Sequence, residues 1–549
     1  MTDKDPILQT FERTESDRKN WESLWQDIAE LVLPRRDFVT RRSQGTERHN
    51  RIFDATAQAS NSMLAAGLQQ FMVNPQSKWF QLRVPGIENE GEDRAAATWL
   101  GQARDLMLAE FNSPDANFYP TVHEGFMDVT AFGTMSFFVQ AGEDGRPNFH
   151  SRPWPEAFIQ ENNKGNIDTY FRKYNLSTRQ AIQEFGAEAL RQSRAMSREL
   201  DKGDLSKEHE FVQAVMPNTY FDATKHEISS NKPWLSVHIL NESDKPRVKF
   251  SGFDQFPFIV SRWSKVTGET YGRSPAMQVL PDIRMLQEMS KTIIKSAQKV
   301  VDPPLQVPDD GFLNPIRMHP GGLNYRRSGS QDQIEPIITG GRVDVGIDMI
   351  RDRQAAVQQA FMLDALQGIL SRGNSSPLKA TEVAARQQQA LRQLAPVVSR
   401  LQNEFLGPLV DRVFAIMLKQ GKLPEPPASL QGQELNVEFV SQAATAAQAS
   451  DADNVLNWIQ QVLPMVNLDP QAASNIDVDK AVRKLAEMNN VPPELLTSPD
   501  QVDQIRQQAT QNEQQAQLAQ LIKEGGPGIK ALADSSETLQ AVTSRNNEQ

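Results

Sequence analysis

There is no cysteine among the 549 residues, which excludes a disulfide scaffold, a thiolate-ligated zinc or iron-sulfur centre and cysteine nucleophilic catalysis. No apolar run approaches the ~18 to 20 residues a helix needs to span a bilayer. The opening MTDKDPILQT also lacks the charged-then-apolar layout of a signal peptide. A soluble chain with no membrane partner, not exported by that route, is expected. Positive charge is in deficit: 58 Lys+Arg against 69 Asp+Glu leave a formal net charge of -11. That argues against a generic polybasic nucleic-acid binder and leaves room only for local basic surfaces. Histidine is scarce: His49, His123, His150, His209, His226, His238 and His319 are scattered, with no HExxH or HxxxH spacing to place two ligands on one helical face. Also missing are GxxxxGK[ST], GxGxxG after a strand and GxSxG, so an ATPase, a dehydrogenase or a hydrolase has no motif behind it. Carboxylate pairs such as Asp309/Asp310 and Glu92/Asp93 fall in loop-like sequence, where a solvated surface explains them. A two-metal nuclease would need carboxylates that converge in space. No catalytic, cofactor-binding or metal-binding residue is nominated, and no cofactor is expected.

What is present is enough apolar side chain, 39%, for packed cores. From about Ile7 to Leu33 the apolar residues, among them Trp21, Leu24, Trp25 and Ile28, recur at helical spacing until Pro34 stops the pattern. Further helices are predicted at Phe53 to Phe71, Ala95 to Phe111 and Val122 to Phe132, so the first 130 residues read as mainly helical. Trp21, Trp25, Trp79 and Trp99 read as packing anchors. After Gly133 the period changes to two, with turn residues between SFFVQA, NFHSR, EAFIQ and DTYFRKY, and an antiparallel meander is predicted. Ser177 caps an inserted helix, and strands resume at EFVQAVM, WLSVHIL, RVKF and PFIVSRW. The fold class is therefore α+β, predominantly α-helical, with a small β-rich domain.

From Pro275 to Val301 a helix of about 40 Å is predicted, with Ile283, Leu286, Met289, Ile293, Ala297 and Val300 on one face. Arg284, Glu288, Lys291, Lys295 and Lys299 lie opposite. The i, i+4 spacing of Lys291, Lys295 and Lys299 makes a cationic stripe, which is either a solvated or salt-bridged face or a surface turned toward a polyanion. In a ring, symmetry would multiply each such position into a circular potential. A Pro/Gly-rich excursion over 302–341 follows, then a second helix from Ile347 to about Leu370 with Ile350, Val357 and Phe361 as its seam. The loop SRGNSSP ends it. A long helix comes next, carrying apolar residues from Val383 to Ile416 and bent at Pro396 and Pro408. A short strand, LNVEFV, and helices at about 446–463 and 477–489 precede a Gln-rich end, expected to be helical in part.

This order of elements resembles that of bacteriophage portal proteins, in particular the head-to-tail connectors of short-tailed, podovirus-type phages. The stretches that carry the resemblance are WESLWQDIAELVLPRRDF (Trp21 to Phe38), IFDATA with LAAGL, KWFQL, KVVDPPL, KATEVAARQQ (Lys379 to Gln388) and LAPVVSRLQNEFLGPLVDRVF running to GKLPEPP. They cover most of residues 15 to 450. The resemblance implies a portal fold with these parts: 1–134, the helical part of a wing; 135–274, its β-rich domain; 275–301, stem helix 1; 302–346, a clip; 347–370, stem helix 2; 371–378, a channel loop; 379–444, a long bent helix returning to the wing; 445–500, a helical crown; and 501–549, a Gln-rich tail. It further implies a non-enzymatic homo-dodecameric ring at one capsid vertex, through which double-stranded DNA is packaged and ejected. The protein would be made in the bacterial host cytoplasm and reside in the virion. Its partners would be the major capsid protein and scaffold, the terminase large subunit and a tail adaptor. Candidate DNA-channel residues are Lys291, Lys295, Lys299, Arg372, Asn374, Ser375 and Lys379, with a neighbouring subunit as the alternative that the three helix lysines would face, since many portal channels are largely acidic; candidate docking residues of the clip are Arg317, Tyr325, Arg326 and Arg327. The competing readings are another virion structural protein, a tail adaptor or internal ejection protein, and a metal-dependent nuclease.

Overall fold

Asp5 begins the first helix, α1 (Pro6–Leu31), by accepting a hydrogen bond from the Ile7 amide, with Pro6 at a position where no amide hydrogen is needed. The computed structural model describes residues 5–34, 51–84, 94–142, 144–203, 205–222, 231–242, 245–306, 325, 335–337, 343–370, 392–430, 436–439, 455, 458, 459, 461, 478–488, 497, 501, 502, 504–509, 511 and 512. The chain divides into two units, Met1–Gln442 and Ala443–Gln549.

In the first unit α1 is followed by α2 (Thr56–Met72), β1 (Phe80–Arg83), α3 (Arg94–Asn112) and α4 (Phe118–Phe132). The tryptophans are packing anchors: Trp25, Trp79 and Trp99 are buried, and Trp21 stacks on Trp25 at 5.7 Å. Strand β1 lies inside sequence read as helical. Gly133 ends α4 in the left-handed region, φ 80°, and the chain enters the sheets.

Eight strands follow: β2 (Thr134–Ala141), β3 (Pro147–Ser151), β4 (Ala157–Glu161), β5 (Ile167–Ser177), β6 (Glu208–Pro217), β7 (Trp234–Leu240), β8 (Arg247–Phe253) and β9 (Phe258–Arg262). The first four, β2 to β5, do not form the one meander expected of them. Strand β2 pairs with β3 and β9 in one antiparallel sheet, while β4 to β8 form a second in sequential order. The division falls at Pro153 and Pro155, whose missing amide hydrogens deny the chain a continuous ladder. Between them the buried Trp154 starts a short 3-10 turn, Trp154–Glu156. Between β5 and β6 the predicted helix is α5 (Thr178–Phe185), opened by a reciprocal Ser177/Gln180 capping box. Two short helices follow beyond the predicted one, α6 (Ala187–Leu190) and α7 (Arg194–Lys202).

Ser274 caps α8 (Pro275–Val301), the range that its periodicity predicts. The return helix differs from expectation. It starts four residues earlier, as α9 (Val343–Ala360), and breaks at Phe361 and Met362 before α10 (Leu363–Leu370). Met362 has φ 53° there, and beyond the break Leu366 packs into the space left by the missing side chain of Gly67 in α2. Strands β10 (Leu305–Gln306) and β11 (Glu335–Pro336) pair, joining the two legs of the excursion near its root.

Residues 392–401 are helical and lead through a π-turn, Gln402–Leu406, into α11 (Gly407–Lys419). Pro408 has no amide hydrogen to give the Glu404 carbonyl, and its ring would crowd that carbonyl in a regular helix. The extra residue relieves this, with the Gly407 amide reaching back five residues to Gln402. Strand β12 (Asn436–Phe439) pairs antiparallel with β1.

In the second unit α12 (Val478–Met488) matches the expected helix at 477–489. Of the other expected helix, 446–463, residues 455, 458, 459 and 461 are described, and all four are helical. Arg506, in helical residues 504–509, holds Asp479 with two hydrogen bonds of 2.6 and 2.7 Å.

Candidate subunit and DNA interface

The antiparallel pair of α8 and α9 carries the candidate site. Its root is firmly built into the body. Ile283, Leu286, Gln287 and Ser290 of α8 are buried. The Gln287 side-chain oxygen accepts from the Phe53 and Asp54 amides at 2.7 and 2.9 Å, and its nitrogen donates to the Asp54 carbonyl at 2.8 Å. From α9, Gln354 donates to the Asp54 carboxylate at 2.7 Å. Both helices thus hold the residues just before α2. Arg353 of α9 donates to Asp282 of α8 at 2.9 Å, and Arg284 pairs with Asp27 of α1.

Farther out the cover ends. Ile293 and Gly346 meet so closely that a Cβ on the glycine would lie 2.7 Å from Ile293 Cδ1. Yet Ile294, Val300 and Val301 of α8 and Val345, Ile347 and Met349 of α9 are exposed. The apolar seam predicted along α8 is therefore buried only in its first half, and Val300, expected on it, is open to solvent.

The predicted lysines do not share one environment. Lys291 is half-buried, its Nζ 5.6 Å from the centre of the Phe53 ring and 3.6 Å from the Glu288 carboxylate. Lys295 and Lys299 are exposed. Tyr325 is exposed and outside regular structure. Arg372, Asn374, Ser375 and Lys379, and likewise Arg317, Arg326 and Arg327, lie outside the described residues. Gln287 and Asp54 were missed as positioning residues; their signal in sequence is faint, a polar residue between Leu286 and the rest of an apolar face. On α9 a second signal was available: Asp344, Asp348 and Asp352 repeat at the same i, i+4 spacing as the lysines, and all three are exposed.

A second polar junction binds the sheets to the long helix. Arg262 is buried between Glu404 of the π-turn and Glu161 of β4, with Lys265 also on Glu161 at 2.6 Å. Burial works against the Arg262 charge, but Glu404 and Glu161 outweigh it and hold its pKa above the usual value. Among the described residues no group of three or more His, Asp or Glu side chains is placed to hold a metal ion, and no helix is long and apolar enough to cross a membrane.

Residues 4–496 match the family described as bacteriophage head to tail connecting protein. The chain belongs to this family, the phage portal proteins, which are structural rather than enzymatic. It is 32% identical over 560 residues to a probable portal protein of Bordetella phage BPP-1, covering 100% of this chain and 97% of that one. It is 27% identical to the portal protein of Salmonella phage epsilon15, over 97% and 96% of the two chains. The portal protein of Enterobacteria phage T3 matches over 53% of each chain at 25% identity.

Proposed function

We propose that the chain closes into a homo-dodecameric ring at one capsid vertex and that double-stranded DNA passes through the ring during packaging and ejection. The observation that carries this is the outer half of the α8/α9 pair. Two helices side by side leave the flanks of each other open, and here Ile294, Val300, Val301, Val345, Ile347 and Met349 are exposed. Repeating the pair around an axis would bring further copies against this open surface and leave a hole in the middle. In this reading 275–301 and 347–370 form the stem and 302–346 the clip, with Arg317, Tyr325, Arg326 and Arg327 offered to the terminase large subunit or the tail adaptor. Residues 1–274 form the wing, to which 379–444 returns, against the major capsid protein and scaffold. Residues 371–378 form a channel loop presenting Arg372, Asn374 and Ser375, with Lys379 beside it, to the duplex. Residues 445–500 form the crown.

The mechanism is passive. A largely acidic ring repels phosphates and keeps the duplex from adhering, and sparse cationic positions centre it. The work of packaging comes from a separate ATPase, since this chain has no phosphate-cradling loop. Electron micrographs of the purified chain test the reading: central-holed rings are expected, and rods or lone monomers under every assembly condition would overturn it.

A further inference from the structure

The α8/α9 pair is charged oppositely on its two outer edges. The contacts Ile293 to Gly346 and Asp282 to Arg353 define the edges along which the two helices face each other. At about 100° per residue, Lys291, Lys295 and Lys299 lie roughly 120 to 160° around α8 from its facing edge. Asp344, Asp348 and Asp352 lie the same roughly 120 to 160° around α9 from its own. The lysine stripe is thus on the far side of α8 and the aspartate stripe on the far side of α9. The close Ile293 to Gly346 contact sets the heights on this half of the pair, where Arg353 reaches Asp282 only through its long side chain: Lys291 is about level with Asp348, Lys295 with Asp344, and Glu288 with Arg351. All of these but the half-buried Lys291 are exposed, and the ion pairs Lys291 to Glu288 and Asp348 to Arg351 within one chain are long, 3.6 and 3.5 Å.

We propose that the occupant of the lysine edge is the aspartate edge of a second copy of this chain, so that Lys291 and Lys295 of one subunit pair with Asp348 and Asp344 of the next. The inference rests on the ring reading above and assigns these lysines to the neighbour rather than to DNA. A closed ring relates neighbours by rotation without rise, so groups at one height in one copy meet groups at that height in the next. At each of the three heights the meeting charges are opposite. Were two lysine edges to meet at matched heights instead, like charges would face each other at every one of them, so the pattern favours head-to-tail meeting of the two edges. Exposed single pairs contribute little, but the same set recurs at every interface of the ring, and screening by salt must weaken all of them together.

The test uses the full-length chain and reads the ring fraction by sedimentation velocity across a salt series. Lys291→Glu with Lys295→Glu is expected to lose the ring, as is Asp344→Lys with Asp348→Lys. The four substitutions combined in one chain, or the two variants mixed, should recover it, because only then do opposite signs meet again. Lys295→Gln with Lys299→Gln, the exposed and mild pair, should leave the monomer melt unchanged and make the ring less stable at low salt. Should the reversed chains fail to fold, that pair carries the test. Wild-type ring yield and salt dependence in these variants, with altered DNA retention, would overturn the inference in favour of a channel-facing role. Absence of rings from the unsubstituted chain would instead overturn the ring reading itself, before any variant is compared.

Discussion

Arg262 and Glu404, 142 residues apart, are joined by three hydrogen bonds: the Arg262 amide and Nε to one carboxylate oxygen at 2.9 and 3.1 Å, and Nη2 to the other at 2.8 Å. One carboxylate, carried on the π-turn that Pro408 enforces, thereby closes the end of β9. The helical irregularity and the sheet edge are a matched pair, since a regular helix would carry Glu404 around to a different bearing.

Glu404→Ala is expected to leave the Arg262 guanidinium, 3% exposed, short of its main acceptor. The expected cost is about 1 to 3 kcal/mol, because the buried guanidinium loses one of its two carboxylates while Glu161 still holds it. Replacing both, Arg262→Met with Glu404→Leu, should cost much less. Chemical denaturation of the two variants side by side measures the difference; equal losses would show that the pair acts only through packing.

Gly133→Ala should be among the most damaging single-methyl additions. The residue sits at φ 80°, and a Cβ would strike the carbonyl of Gly272, while a Cβ on Gly272 would strike that of Gly133. The αL strain is about 1 kcal/mol, and the backbone clash adds to it because both segments are tied down: the Gly133 carbonyl accepts from the Trp263 amide at 2.9 Å and the Gly272 amide donates to the Thr134 hydroxyl at 3.0 Å. Soluble yield and thermal melting report the outcome.

Gln287→Leu should lower stability by roughly 2 to 4 kcal/mol by leaving the Phe53 and Asp54 amides without their acceptor. Its volume is nearly conserved, so the loss reports hydrogen bonding rather than a cavity. Hydrogen exchange at those two amides should accelerate, and unchanged exchange would place the anchoring of α2 elsewhere.

His238 predicts an acid-sensitive sheet. Burial, then the nearby charges of Lys249, Arg172 and Arg152, push its pKa down to about 3, and its Nδ1 lies 3.0 Å from the Tyr174 hydroxyl. A histidine neutral in the fold and ordinary when unfolded favours unfolding as pH falls below about 6.5. Its contribution to stability is complete above that value and is lost toward pH 3, at up to about 1.4 kcal/mol per pH unit. Melting temperature between pH 6.5 and 5 should therefore decline less steeply in His238→Gln than in the parent.

Helices whose apolar residues repeat over many turns were legible in the sequence: α1, α8 and α12 agree with their predicted ranges to within a few residues, and Ser177 was identified as a cap. What escaped depends on contacts between distant segments. Strand β1 has only four residues and owes its conformation to β12. The corner at Trp154 assigns β3 and β4 to different sheets, which period-two alternation cannot reveal. The break at Met362 is visible only against α2, where Gly67 leaves room for Leu366. For the candidate site, the lysine stripe was readable from spacing, but its direction was not. That required knowing which edge of α8 meets α9, and so which edge is left for a neighbour. The channel loop expected over 371–378, with Arg372, Asn374 and Ser375 and with Lys379 beside it, lies outside the described residues and rests on the family resemblance.

Strand β1 finds its partner only roughly 350 residues later, in β12. A ribosome moving at about 5 to 20 residues per second needs on the order of twenty seconds or more to supply it. Throughout that interval Phe80 and Leu82 border an incomplete edge, open to chaperones or to another nascent copy. Late closure of this two-stranded clasp would delay completion of the first unit until most of the chain has been translated.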